Sequence, residues 1–115
     1  VLRKKYPNVT IVEDSAGNVV QHLQTRELDS CDCIISGLPW ALFPESLQNE
    51  ILDAAWQALR PNGRFITFTY FFSLWTSGGK RFRSMLSERF SNKVYLSPII
   101  WGNFPPARVY CATKM

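Results

Sequence analysis

"CDCIISGLPWALFP", Cys31 to Pro44, decides how this chain is read. Cys31 to Gly37 reads as a continuous apolar run. Such a run fits a strand in the middle of a parallel sheet, covered on both faces. It ends in Ser36 and Gly37, and Leu38, Pro39, Trp40, Phe43 and Pro44 follow. Two readings are open. Pro39, Trp40 and Phe43 pack on the core as an ordinary turn, or they form a rigid apolar lip at a ligand site. Ligands in open α/β sheets bind beyond the carboxyl ends of the strands, where this segment lies.

Outward from that segment, strand-like and helix-like stretches alternate. "PESLQNEILDAAWQALRPNGRF" carries the clearest helix. Pro44 starts it, where the missing N–H does no harm. Glu45 favours the positive end of the helix dipole. Leu47, Ile51, Leu52, Ala55 and Leu59 make one apolar face at helical spacing. Arg60 and "PNG" end it. The strand "RFITFTY", an apolar loop "FFSLWTSGG" and the helix "KRFRSMLSERF" follow. That helix places Phe82, Met85, Leu86 and Phe90 on one face and Lys80, Arg81, Arg83 and Arg89 on the other. "KVYLSPIIW" and "RVYCATK" read as two strands joined through "GNFPPA". On the amino-terminal side, "NVTIVED" (Asn8 to Asp14) reads as a short strand. "SAGNVVQHLQTREL" reads as a turn and a weak helix. The order β-α-β-α-β-α-β-β predicts an α/β fold: a mostly parallel, Rossmann-like sheet closed by an antiparallel C-terminal pair.

The totals bound the functions. A chain of 115 residues is one domain at most. Apolar residues make up 46% and aromatic residues 14%, a globular composition. The net charge of +4 is too small to argue for nucleic acid by itself and suits an anionic membrane surface equally well. Cys31, Cys33 and Cys111 are odd in number, and a single histidine, His22, leaves no zinc set. Reduced thiols in a cytoplasmic protein are the plain reading. No run approaches the ~20 apolar residues that span a bilayer. The opening "VLRKKYPNV" reads as the tail of a helix running into a strand, so a fragment of a longer protein is expected.

Four stretches carry a family resemblance: "TIVEDSA", "DCIISGLPWALFP", "ALRPNGRFITFTY" and "WGNFPPARVY". In this order they resemble the C-terminal part of a class I S-adenosylmethionine-dependent methyltransferase. More narrowly, they are similar to the phospholipid N-methyltransferases, relatives of the rRNA adenine dimethylases. The resemblance covers most of residues 1–115 and implies a partial methyltransferase domain with its N-terminal strands missing. The glycine-rich loop that holds the methionine end of the cofactor in this family has no counterpart here. The only glycine pair, Gly78-Gly79, follows a later strand.

The resemblance assigns candidate roles. Asp14 would accept from the adenine amino group of S-adenosylmethionine, and the Ser15 backbone N–H would donate to a ring nitrogen. Glu13 is the runner-up acid. Read from the residues alone, Asp14 is equally a helix cap or an Asx turn before Gly17. Ser36, Leu38, Pro39 and Trp40 form the candidate catalytic lip. Methyl transfer to an amine needs positioning more than acid–base machinery. The Trp40 ring would hold a cationic head group by cation–π attraction. Ser36 stands where the adenine dimethylases place Asn, which speaks against a nucleobase acceptor. Tyr70, Asn103 and Tyr110 are the candidate substrate-binding residues. The run Tyr70 to Trp75 would meet acyl chains, and the basic helix after it would rest on anionic lipid. His22 reads as structural.

The implied function is methyl transfer from S-adenosylmethionine to a phospholipid amine such as phosphatidylethanolamine, by an enzyme peripheral to the inner membrane face. Two rivals stand beside it: an RNA adenine or small-amine methyltransferase, and a non-catalytic interaction module. For the module, the exposed sheet edge at Asn8 to Asp14 would form a homodimer. The chain alone is expected to be inactive.

Overall fold

A computed structural model describes residues 5, 12, 14–102 and 106–114 of the chain. Among these, a 3₁₀ turn at Ala16–Asn18 leads into helix α1, Val19–Thr25. Strand β1, Cys31–Ser36, is followed by a 3₁₀ turn at Trp40–Leu42 and helix α2, Glu45–Ala58. Strand β2, Leu59–Tyr70, runs into a 3₁₀ helix at Phe71–Trp75 and then helix α3, Ser77–Arg89. Strands β3, Val94–Leu96, and β4, Ala107–Thr113, close the chain. Of the predicted strand Asn8 to Asp14, with its dimer edge, only Val12 and Asp14 are among the described residues.

The strands form one sheet in the order β1-β2-β4-β3. β1 pairs parallel with β2, β2 pairs antiparallel with β4, and β4 pairs antiparallel with β3. Three of these four strands therefore point the same way and β4 alone is reversed. This is the predicted mixed α/β sheet with its antiparallel C-terminal pair.

Helices α2 and α3 supply the core over one face. Ile51, Leu52 and Ala55 from α2 meet Phe82, Leu86 and, just past α3, Phe90, above Phe65, Tyr110 and Ala112 of the sheet. The other face carries a lateral row in which Ile35 pairs with Ile66, Ile66 with Cys111, and Cys111 with Tyr95. The two ends of that row are open, Ile35 at 78% and Tyr95 at 62% exposure.

Three local features depart from the sequence reading. Helix α2 ends at Ala58, and Leu59 is already extended and paired with Cys31. The register then shifts, so that Cys33 pairs with Arg64 and the "RPNG" turn loops out between the two pairs. Asn62 takes the left-handed conformation there, at φ 68°, which asparagine tolerates better than most residues. Second, α3 begins at Ser77, so both glycines lie in its first turn. Thr76 caps it by accepting from the Gly79 N–H at 3.0 Å. A Cβ on Gly78 would sit 2.0 Å from the Ala41 carbonyl oxygen, and one on Gly79 would sit 1.9 Å from that of Ser73. The pair is a close-approach device that seats α3 on the two 3₁₀ segments. Third, Arg81 and Arg89 leave the predicted solvent face. Arg81 turns to Gln48 and the Phe43 carbonyl, and Arg89 pairs with Asp53.

Candidate functional site

The segment after β1 is held from within. The Ser36 hydroxyl accepts from the Leu38 N–H at 3.3 Å and from the Trp40 indole Nε1 at 3.1 Å. The Thr67 hydroxyl of β2 donates to the Ser36 carbonyl at 3.0 Å. Inside the turn, the Leu38 carbonyl accepts from the Trp40 N–H and the Pro39 carbonyl from the Leu42 N–H. Each of these carbonyls keeps a second lone pair for an incoming donor.

Trp40 takes a different place from the one expected. It is 4% exposed, its ring stacks on Phe82 at 4.6 Å, and Phe43 and Phe65 meet it edge-on. A ring covered in this way anchors the lip in the core. It does not offer an open face to a cationic head group, because the stacking that holds it occupies that surface.

Beneath the lip, Gln48 is fully buried on α2. Its Nε2 donates to the Trp40 carbonyl at 2.7 Å and to the Gly78 carbonyl at 3.1 Å. Its Oε1 accepts from Arg81 Nε at 2.9 Å, and Arg81 also donates to the Phe43 carbonyl at 3.0 Å. Two side chains thus tie the lip, α2 and the start of α3 together. Sequence reasoning missed Gln48. The available signal was a polar residue beside Leu47, inside the apolar stripe of α2.

Two pockets meet at this segment and share Gly37, Leu38 and Trp40. The first, about 300 Å³, lies beyond the ends of β1 and β2, with Leu38, Pro39, Leu42, Phe68, Tyr70 and Phe72 among its walls. Among the described residues, its only titratable lining group is the Tyr70 hydroxyl. Tyr70 stacks on Phe72 at 5.9 Å and meets Phe68 edge-on at 5.5 Å. The second, about 320 Å³, lies towards α1, with Ala16, Val19, Ile34, Ser36, Gly37 and Ile51 among its walls.

The remaining candidates are dispersed. Both oxygens of the exposed Asp14 carboxylate are engaged: Oδ1 by the Ser15 N–H at 2.7 Å, Oδ2 by His22 Nε2 at 2.8 Å, and both by Asn18 Nδ2 at 3.2 Å. The His22 bond first, then those from Ser15 and Asn18, holds this carboxyl below the usual range. Asp14 and the Ser15 N–H, both offered to adenine in the sequence reading, are thus partners of each other and of the α1 turn. Tyr110 is 1% exposed and meets Phe82 edge-on at 5.9 Å. Its buried hydroxyl finds no hydrogen-bond partner among the described residues, and burial pushes its pKa up. It is a core residue, contrary to the substrate-binding role expected of it, because its place opposite Thr67 points it under α3. Glu13 and Asn103 lie outside the described residues. The three cysteines are free thiols, and burial raises the pKa of Cys31. Among the described residues, no group of three or more His, Cys, Asp or Glu could hold a metal. Nor is any of their helices long and apolar enough to cross a membrane.

No protein-family model matches the chain. The chain is 28% identical over 113 residues to an ornithine lipid N-methyltransferase of Singulisphaera acidiphila, a match spanning 96% of this chain and 54% of that protein. It therefore spans about half the length of this curated relative. A solved structure from Clostridium thermocellum, assigned as an rRNA-methylase, has the same fold, with a TM-score of 0.56 at 15% identity, over 96% of this chain and 67% of that one. The resemblance to class I methyltransferases thus holds in sequence and in fold.

Proposed function

We propose that this chain, similar to class I methyltransferases, forms the acceptor side of an S-adenosylmethionine-dependent N-methyltransferase acting on a lipid head-group amine. The observation that carries the reading is the apolar first pocket, walled by the lip after β1 and, among the described residues, lined by no side-chain acid or strong base. Transfer to an amine suits such a site. The substrate brings its own lone pair, and the protein's work is alignment and exclusion of water. A named lipid N-methyltransferase among the relatives supports the same acceptor class.

The second pocket fits part of the cofactor. Its apolar walls, which run along β1 at Ile34 and Ile35 and include Ile51 and Phe65, suit a flat heterocycle such as adenine. The four contacts on Asp14 leave it free to take an amino group only by giving up Asn18. The two glycines of α3, which sit against the Ala41 and Ser73 carbonyls, are used in packing and are not open to the methionine end. When bound, S-adenosylmethionine supplies a methyl group on a sulfonium. Ser36, Leu38 and Pro39 would then form the lip that positions the amine, with Trp40 fixing the lip from below. Tyr70 and Phe72 would line the path of the acyl part.

The test has two readouts on the protein that carries this sequence. The first is calorimetric binding of S-adenosylhomocysteine, with Ala16→Phe as a variant that fills the second pocket. The second is transfer of labelled methyl to ornithine lipid or to phosphatidylethanolamine in mixed micelles. Binding lost in Ala16→Phe, with label in an amine lipid, supports the proposal. A folded protein that binds no S-adenosylhomocysteine sinks the cofactor reading. Binding without label in either lipid sinks the acceptor reading.

A further inference from the structure

The open face of the sheet carries a polar row at the end far from the lip, and we infer that this row is a binding site for a phosphate group, separate from the site of methyl transfer. The Thr113 N–H donates to the Lys93 carbonyl at 3.0 Å, which carries the β3–β4 ladder one step beyond Val94 and Ala112. On its other side Thr113 pairs with Arg64 of β2. Lys93, Thr113 and Arg64 thus stand in one row across three strands. Their chain neighbours Val94, Ala112 and Phe65 all face the helix-covered core. Side chains alternate along a strand, so the row points to the open face. An open depression of about 490 Å³ lies there, with Arg64, Asn92, Lys93, Tyr95 and Thr113 among its walls.

Unused bonding capacity selects the ligand. Arg60, Arg81, Arg89 and Arg108 each donate to a carboxylate, an amide or a carbonyl. Among the described residues, the Arg64 and Lys93 side chains meet no such oxygen, and no acid lines the depression. Their backbones are roughly 10 Å apart, two strand spacings, on either side of β4. Both side chains are long enough to meet over the Thr113 hydroxyl. Two cations that converge there repel, and an anion between them removes the repulsion. The guanidinium fork matches the paired oxygens of a phosphate or a carboxylate. The three-sided arrangement favours phosphate, because a tetrahedral group offers one oxygen each to arginine, lysine and hydroxyl. Tyr95, 62% exposed, pairs with Cys111 one step along the same face and gives a flat wall to the body of a phosphate ester.

Position separates this site from the lip. Arg64 and Tyr70 lie six residues apart on β2, about 20 Å along an extended strand. Tyr70 lines the first pocket. The phosphate of a phospholipid sits only a few bonds from its amine, so a substrate whose amine is at the lip does not reach Arg64. The ligand is therefore a soluble phosphate or phosphate ester and not the head group of the methyl acceptor.

The experiment is titration of the protein that carries this sequence with inorganic phosphate and with phenyl phosphate, at constant ionic strength, followed by NMR amide shifts. Circular dichroism checks that each variant is folded. The parent should show saturable shifts at Arg64, Lys93 and Thr113. Arg64→Gln and Lys93→Gln should each weaken binding at least about tenfold, as the loss of one charge-assisted hydrogen bond implies. Lys80→Gln/Arg83→Gln removes two cations from α3 and should keep the parent affinity, because distant surface charges are screened. Tighter binding of phenyl phosphate, lost in Tyr95→Ser, would identify an ester as the ligand, and equal affinity for the two probes would identify the free anion. A folded parent without saturable binding overturns the inference. So does parent-like affinity in either folded charge variant, an equal loss in Lys80→Gln/Arg83→Gln, or acetate that competes as well as phosphate. No methyl donor and no lipid enter the titration, so this inference and the methyl-transfer proposal stand or fall separately.

Discussion

Gln48 holds Trp40 directly, its Nε2 donating to the Trp40 carbonyl at 2.7 Å, and its Oε1 fixes Arg81, which donates to the carbonyl of Phe43 three residues on. The lip after β1 is thereby clamped from its buried side by an amide on α2. Gln48→Leu keeps the volume but removes the two amide bonds to the Trp40 and Gly78 carbonyls and leaves Arg81 Nε without Gln48. It should cost about 1–3 kcal/mol, the scale of removing a buried hydrogen-bond partner. Urea denaturation reads this directly. A loss near zero would mean that water replaces the amide and that the clamp does not set the lip.

The glycine pair makes a second prediction in which two effects oppose. Alanine is better than glycine inside a helix by up to about 1 kcal/mol. At Gly78 and Gly79 the new methyl would meet backbone carbonyl oxygens at 2.0 and 1.9 Å. Backbone cannot rotate away as a side chain can, so overpacking wins, at ~1–3 kcal/mol or more. Gly78→Ala and Gly79→Ala should each lower the melting temperature. Gly17→Ala, whose nearest neighbour is the exposed Glu50 side chain at 3.2 Å, should stay within about 0.5 kcal/mol of the parent.

Asp14 predicts a pH dependence. Its carboxyl is held below the ordinary value, chiefly by His22, so the folded state binds its proton less readily than the unfolded chain. The contribution is fully present above the unfolded pKa of about 4 and is lost as pH falls through the folded value. Stability measured between pH 7 and 5 should therefore carry it unchanged. Asp14→Asn should flatten the acid limb below pH about 4. An unchanged acid limb in that variant would show that the Asp14 network does not form in solution.

Lys114 caps α2 from the far end of the chain. Its Nζ donates to the Trp56 and Leu59 carbonyls, both at 2.8 Å, and lies 4.0 Å above the Trp56 ring. A cation on the last carbonyls of a helix complements its dipole. Lys114→Met keeps the stem and should cost about 1–2 kcal/mol. Addition of salt should change the parent more than the variant.

Tyr110→Phe should leave stability unchanged or raise it by up to about 1 kcal/mol, because it removes a buried hydroxyl that has no partner. It should also leave methyl transfer to lipid unchanged. A selective fall in transfer, with stability intact, would return Tyr110 to the substrate site and overturn its assignment to the core.

The sequence made the fold class legible through particular segments. "CDCIISG" reads as a strand, although the central place covered on both faces that its apolar run predicts is not what is found: among the described residues β1 lies at the end of the sheet with Ile35 78% exposed. The stripe Ile51, Leu52 and Ala55 has helical spacing, and the last two strands have no helix between them. Each of these signals is local, and the mixed sheet follows from their order. The candidate site was legible as a place, the exit of β1, because strand ends in α/β sheets are where side chains and backbone groups become accessible.

The roles within that place were not legible. Whether Trp40 faces solvent or Phe82, whether Asp14 is open or bound by His22, and whether Tyr110 meets substrate or core all depend on residues distant in the chain. The sequence by itself determined the order of elements and the location of the lip, because propensity and periodicity act over a few residues. Only the tertiary structure decided which polar and aromatic groups remain free, because burial and hydrogen-bond pairing are settled by neighbours that the fold brings together.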